Sequence, residues 1–163
     1  MSIKLGFHSH NNLQMSFANA QEMMRLAKRR KIIIDSSCYG MGRGVGNLAT
    51  ELLCDYINND IQQKYSLTPI LNVVDKYLMS IYAEQRWGYD LPYFLSATFK
   101  CHPNYAAYLM RRETLDIENI EKILSLIPID ERKEFDESLI EGLYIKFQSS
   151  EIDDKKLLSS FVI

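Results

Sequence analysis

His8-Ser9-His10 closes a short apolar run and is followed by Asn11-Asn12-Leu13. In an extended segment over residues 3–10, successive side chains alternate between faces, so both imidazoles point the same way. Two neutral imidazoles converging from one strand are half of a divalent-metal site. The same short pattern also ends ordinary strands, so the pair alone leaves both readings open. The second chemical feature is Gly40-Met41-Gly42-Arg43-Gly44-Val45-Gly46, with Asn47 after it. Four glycines in seven residues carry an entropic cost that needs a reason. Between the end of a strand and the start of a helix, such a loop lets backbone N–H groups approach an anion. A plain flexible loop is the alternative. The spacing matches neither a P-loop nor a dinucleotide fingerprint, which argues against a nucleotide.

The elements that position these residues follow from periodicity. Leu13, Phe17, Ala20, Met24 and Ala27 recur at helical spacing, which predicts a helix over residues 13–30 with one apolar stripe. Lys31-Ile32-Ile33-Ile34-Asp35-Ser36-Ser37 reads as a strand buried on both faces, the signature of a parallel sheet. Strand, crossover helix and strand make a βαβ unit. Asn47 is placed to cap a helix over residues 48–61. After about residue 65 nearly everything reads as helix. Thr68-Pro69 opens a helix with Ile70, Val73, Val74, Tyr77, Leu78 and Ile81 as its stripe, running to about Trp87, where Gly88 can stop it. Asp116 can cap a helix that Pro128 ends, and Asp130 and Ser150 can begin two more. The expected division is residues 1–66 and residues 67–163.

Composition narrows the class. A net charge of −2 over 163 residues is that of an ordinary globular chain of about one domain and carries no nucleic-acid footprint. The basic run Lys28-Arg29-Arg30-Lys31 falls where a helix should end, where cations suit the helix dipole. Neither a signal peptide nor a membrane anchor is expected from the opening residues or from any apolar stretch. Cys38, Cys54 and Cys101, odd in number and widely spaced, fit reduced thiols in a cytoplasmic protein.

Taken together, His8-Ser9-His10-Asn11-Asn12-Leu13, Asp35-Ser36-Ser37 and the stretch from Gly40 to Asn47 resemble the last two strands of the barrel in the HMG-CoA lyase-like superfamily of metal-dependent TIM-barrel enzymes. The match covers the first third of the chain. More weakly, Leu91-Pro92-Tyr93-Phe94-Leu95-Ser96 and His102-Pro103-Asn104-Tyr105-Ala106 look like the helical carboxyl-terminal domain that follows the barrel in the aldolase branch. The implied fold is α/β: the last two βα units of a TIM barrel followed by an all-helical domain, a fragment of a longer chain. By the same resemblance His8 and His10 are metal ligands and Asn47 lies at or next to the metal. Gly42, Arg43 and Gly44 are the implied substrate-binding residues, and Tyr93 is a weak catalytic candidate reaching in from the helical domain.

Within the superfamily the compact loop is most similar to the 4-hydroxy-2-oxovalerate aldolases, with Arg43 replacing a small residue. It lacks the catalytic cysteine of the HMG-CoA lyases and the Glu-Arg pair typical of the isopropylmalate synthases, although Leu48-Ala49-Thr50-Glu51 resembles the lyases. What the resemblance implies is a lyase that makes or breaks a carbon–carbon bond beside a 2-oxo acid, with an aldehyde as the second compound. Mg²⁺ or Mn²⁺, with Zn²⁺ as a further choice, suits a mixed shell of imidazole, carboxylate and water. A homo-oligomer or an aldehyde dehydrogenase partner is implied, with no nucleic acid and no membrane. A closed barrel needs about 250 residues, and the Arg and Asp that the family carries on its first strand have no counterpart here. The chain is therefore expected to be the carboxyl-terminal part of a longer enzyme and inactive alone. An acyl-CoA-dependent lyase or synthase, or a non-catalytic helical docking module, are the other readings.

Overall fold

A computed structural model describes residues 5–27 and 30–160, with side chains described as far as residue 150. Ile3 and Lys4 of the first strand, and Lys28 and Arg29 of the basic run, lie outside the described residues. Two compact units divide the chain, Met1–Asp90 and Leu91–Ile163, whereas the change of periodicity had suggested a boundary after residue 66.

In the first unit, β1 (Leu5–Phe7) and β2 (Ile32–Ile34) form a parallel pair in register Leu5↔Ile32, Gly6↔Ile33, Phe7↔Ile34. A parallel pair needs a long crossover, which α1 (Ser16–Ala27) supplies. This helix is shorter than the stripe predicted. The Asn11 side-chain oxygen accepts from both the backbone N–H and the hydroxyl of Ser16, fixing the start there and leaving Leu13 exposed. Phe7, Ile34, Phe17, Met24 and Ile57 pack around buried Ala20, Leu48 and Leu53, so one face of the sheet is covered. The other face, marked by Gly6 and Ile33, is open in this chain, with Ile33 56% exposed. The expectation that β2 is buried on both faces is corrected accordingly.

The helix after the glycine-rich loop is α2 (Thr50–Tyr56), whose N-cap is Ala49, with a single π turn Ile57–Ile61 carrying it to the expected end. Asn47 does not cap it. The following helix begins at Leu67 and is interrupted: α3 (Leu67–Val73) passes through a π turn, Val74–Leu78, into α4 (Met79–Glu84). The wider turn rotates the apolar stripe, and only Val74 and Leu78 of it are buried.

The second unit is built from α5 (Leu91–Thr98), α6 (Pro103–Met110), α7 (Ile117–Ser125) and α8 (Glu137–Ser160). Its core is Cys101, Tyr105, Tyr108, Leu109, Ile120, Ile123, Leu124, Ile127 and Ile140. Asp116 caps α7 as predicted, accepting from the Asn119 N–H at 2.8 Å. His102 caps α6 through Nδ1, in line with the capping residue that its place before Pro103 suggests. Asp130 falls in a short 3₁₀ turn and Ser150 inside α8, so neither begins a helix; Asp136 holds the first turn of α8 instead, accepting from the Leu139 N–H. No helix among the described residues is long and apolar enough to cross a membrane.

Candidate functional site

The alternation of β1 continues past its last paired residue, so that His8 and His10 are exposed while Ser9 between them is not. They lie on the open side with Gly6, and their ring centroids are 5.1 Å apart in an edge-to-face arrangement. The pairing also continues on the other strand, where the Asp35 N–H donates to Phe7 O at 2.9 Å. That brings Asp35 Oδ2 to 3.4 Å from His8 Nδ1. A carboxylate beside Nδ1 is placed to orient the imidazole ring. Asp35 was legible as part of a motif, but its place beside His8 required the strand register.

The loop crosses in front of this strand end. His10 pairs with Asn47 in an isolated antiparallel bridge, and the Asn11 N–H donates to Gly46 O at 3.1 Å. Asn47 Nδ2 donates to Met41 O at 3.0 Å, tying the two ends of the loop together. Its Oδ1 is buried and accepts no hydrogen bond, a costly arrangement for a carbonyl oxygen unless something electropositive meets it. His8, His10 and Asn47 are thus brought together. Among the described residues no group of three His, Cys, Asp or Glu side chains is placed to hold a metal ion. The donors present, two imidazoles and an unsatisfied amide oxygen, are of the kinds that a divalent cation takes.

Two of the glycines are demanded by geometry. Gly46 has φ +74°, and a Cβ there would meet Gly40 O at 2.6 Å and the Trp87 ring at 3.2 Å. A Cβ on Gly42 would fall 2.5 Å from Asn47 Nδ2. The loop also contains a residue held against its preference: Tyr39 sits at φ 55°, a conformation that costs a side-chain-bearing residue about 1–2 kcal/mol. Its neighbours over-determine it. The Tyr39 N–H donates to the Glu51 carboxylate, its carbonyl accepts from Trp87 Nε1 at 2.9 Å, and its ring packs edge-on against Tyr82.

Gly42, Arg43 and Gly44 line one wall of a cleft of about 380 Å³. The opposite wall comes from the end of α4 and the residues after it, including Ile81, Gln85, Arg86 and Trp87. The helix stops at Glu84 with Gln85 as its C-cap, so Gly88 does not end it; the Gly88 N–H instead donates to Gly44 O at 2.9 Å, tying this distant segment to the loop. Sequence reasoning missed Arg86 and Trp87, since nothing local links them to a loop more than forty residues earlier. Tyr93 lies on α5 in the second unit.

No protein-family model matches the chain. Relatives that it resembles are 4-hydroxy-2-oxovalerate aldolases. That of Marinomonas sp. (strain MWYL1) is 36% identical over 75 residues, 45% of this chain and 21% of the relative. That of Moorella thermoacetica is 40% identical over 53 residues, 32% of this chain and 15% of the relative. That of Chloroflexus aurantiacus is 36% identical over 73 residues, 45% of this chain and 19% of the relative. The match thus spans about a fifth or less of the length of these relatives. Among solved structures, the N-terminal domain of a putative aldolase from Bacteroides vulgatus superposes with a TM-score of 0.60 at 28% identity, covering 74% of this chain and 38% of that one. The resemblance read from the histidine pair and the glycine-rich loop therefore holds: in part of its sequence the chain is similar to 4-hydroxy-2-oxovalerate aldolases, and its mostly helical α/β fold with a small parallel sheet is similar to an aldolase domain.

Proposed function

We propose that these residues are the carboxyl-terminal part of a divalent-metal-dependent aldolase acting on the carbon–carbon bond of a 2-oxo acid. In this reading β1 and β2 are the last two strands of a TIM barrel, and the open face at Gly6 and Ile33 is its interior. The observations that carry the reading are the His8–His10 ring pair on that side of the sheet, the backbone bridge that joins His10 to Asn47, and the buried Asn47 oxygen that accepts no hydrogen bond. A cation bound there, Mg²⁺, Mn²⁺ or Zn²⁺, supplies Lewis-acid stabilisation of negative charge developing on the 2-oxo oxygen. The chain's own residues hold and orient. His8 and His10 present ring nitrogens, Asp35 lies beside His8 and orients its ring, and the Asn47 amide ties its own position to Met41 in the loop. In this reading the site also needs an arginine and a further carboxylate, which none of the residues assigned above supplies.

The test is metal stoichiometry. Replacing His8 and His10 together by Ala should abolish Mn²⁺ binding by the complete protein, and Asp35→Asn should weaken it about 10-fold or more, the scale of a lost outer-shell partner. Unchanged stoichiometry in the double variant would remove the proposal.

A further inference from the structure

We infer that the cleft between residues 41–44 and the end of α4 is a binding site for a small organic dianion. Its two cations, Arg43 and Arg86, come from segments far apart in sequence and line the same space. None of the lining residues is acidic, and among the described residues neither arginine has an ion-pair partner. Two like charges lining one space with no acidic residue among the lining favour an anion there. Guanidinium groups present fixed forks of donors that match carboxylate and phosphate oxygens in pairs. Two such groups balance two negative charges, and Gln85 adds a neutral polar group to the same wall.

The rest of the lining defines the body of the ligand. Trp87, Ile81 and Met41 are apolar or aromatic, so the charges are carried on a short carbon framework rather than on a bare ion. A volume of about 380 Å³ lies at the small end of the range for ligand pockets. The walls are tied together before any ligand arrives, through Trp87 Nε1 to Tyr39 O and the Gly88 N–H to Gly44 O, each 2.9 Å. A pre-formed cleft loses little free energy to ordering on binding. The shared chemistry is that of a dicarboxylate or a phosphate monoester. The inference does not rest on the metal reading, because neither His8 nor His10 lines the cleft.

Trp87 is the sole tryptophan of the chain, so its fluorescence reports on this cleft. The full chain is titrated with succinate, glycerol phosphate, acetate and chloride at matched ionic strength, by fluorescence and in parallel by calorimetry. Either dianion should saturate at concentrations roughly tenfold below acetate, the factor expected for one additional charge-assisted pairing. Which dianion is tighter identifies the source of the charge. Arg43→Gln and Arg86→Gln alter exposed side chains and should each raise Kd by roughly tenfold while leaving the circular dichroism spectrum unchanged. Replacing His8 and His10 by Ala should leave this binding unaltered. Responses no different from chloride by both methods, or an Arg86→Gln variant that binds as the unaltered chain does, would overturn the inference.

Discussion

The first unit gathers its candidate chemistry around a thin core, while the second has a deep core in which, among the described residues, every buried side-chain polar atom has a hydrogen-bond partner. Tyr105, Leu109, Ile123, Leu124, Ile127 and Ile140 are all less than 2% exposed in the second unit. Arg132 Nε, Nη1 and Nη2 there donate to the carbonyls of Ile127, Phe99 and Ser125, the last at the end of α7, where a cation suits the helix dipole. In the first unit the cluster is Ala20, Leu48 and Leu53, and one sheet face is open. The contrast separates the deepest burial from the exposed polar side chains of the candidate site. Groups that must meet a ligand cannot also be used to fill a core.

The largest expected effect tests that contrast directly. Ile123→Ala should cost about 2–5 kcal/mol in urea unfolding of the chain, the range for truncating a fully buried aliphatic side chain. Ile33→Thr, at 56% exposure on the open face, should fall within about 0.5 kcal/mol of the unaltered chain. Equal losses at the two positions would mean that the open face is covered after all. Gly46→Ala comes next. With φ +74° and backbone oxygen 2.6 Å from the new Cβ, the substitution should cost about 1–3 kcal/mol. It should also shift the Trp87 emission, because that ring lies against the same position.

A third prediction separates the units by pH. Burial raises the pKa of the Tyr105 phenol above its ordinary value, and the Cys101 thiol is raised mainly by the same cause. An acid whose folded pKa is raised is stabilised in its neutral form. The stabilisation is complete below the unfolded pKa, about 10 for tyrosine, and is lost as pH climbs through the higher folded value. Thermal melts followed at rising alkaline pH should therefore show a steepening loss in the second unit. Tyr105→Phe should flatten that loss. At neutral pH the same variant should cost about 1–3 kcal/mol, because the hydroxyl donates toward the Glu131 and Glu134 carbonyls and accepts from the Asp136 N–H. An alkaline limb identical in both proteins would assign the titration elsewhere.

What could be read from the sequence was whatever lies within a few residues along the chain. The alternation around His8 and His10, the βαβ order and the caps at Asp116 and His102 are local patterns, and each is present in the structure. Asn47 was misread as a cap because its position before an apolar run satisfies the capping rule. The bridge to His10 and the bond to Met41 O hold it two residues short of the helix, and Ala49 takes the N-cap position. The π turn at Val74–Leu78 has no counterpart in a pattern of fixed helical period, and so the stripe was over-extended. Asp35 beside His8, and Arg86 and Trp87 beside the loop, depend on strand register and on packing between distant segments. Neither leaves a local signal.

The smallest expected effect sharpens the comparison at the helix ends. In the second unit the caps of α6 and α7 are side-chain hydrogen bonds, from Asn104 N–H to His102 and from Asn119 N–H to Asp116. In the first unit Ser66 occupies the cap of α3, a residue type suited to that role, yet its hydroxyl makes no capping bond, and neither does Ala49 before α2. Asp116→Ala should therefore cost about 1 kcal/mol. A carboxylate before the first turn also interacts favourably with the helix dipole, by about 0.3–1 kcal/mol at low salt, so part of the loss should fade as ionic strength rises. Ser66→Ala removes no such bond and should change stability by only a few tenths of a kcal/mol, within about 0.5 kcal/mol. Paired urea titrations of the two variants at low and high salt measure both numbers. A Ser66→Ala loss as large as that of Asp116→Ala would show that α3 is capped in solution as α6 and α7 are.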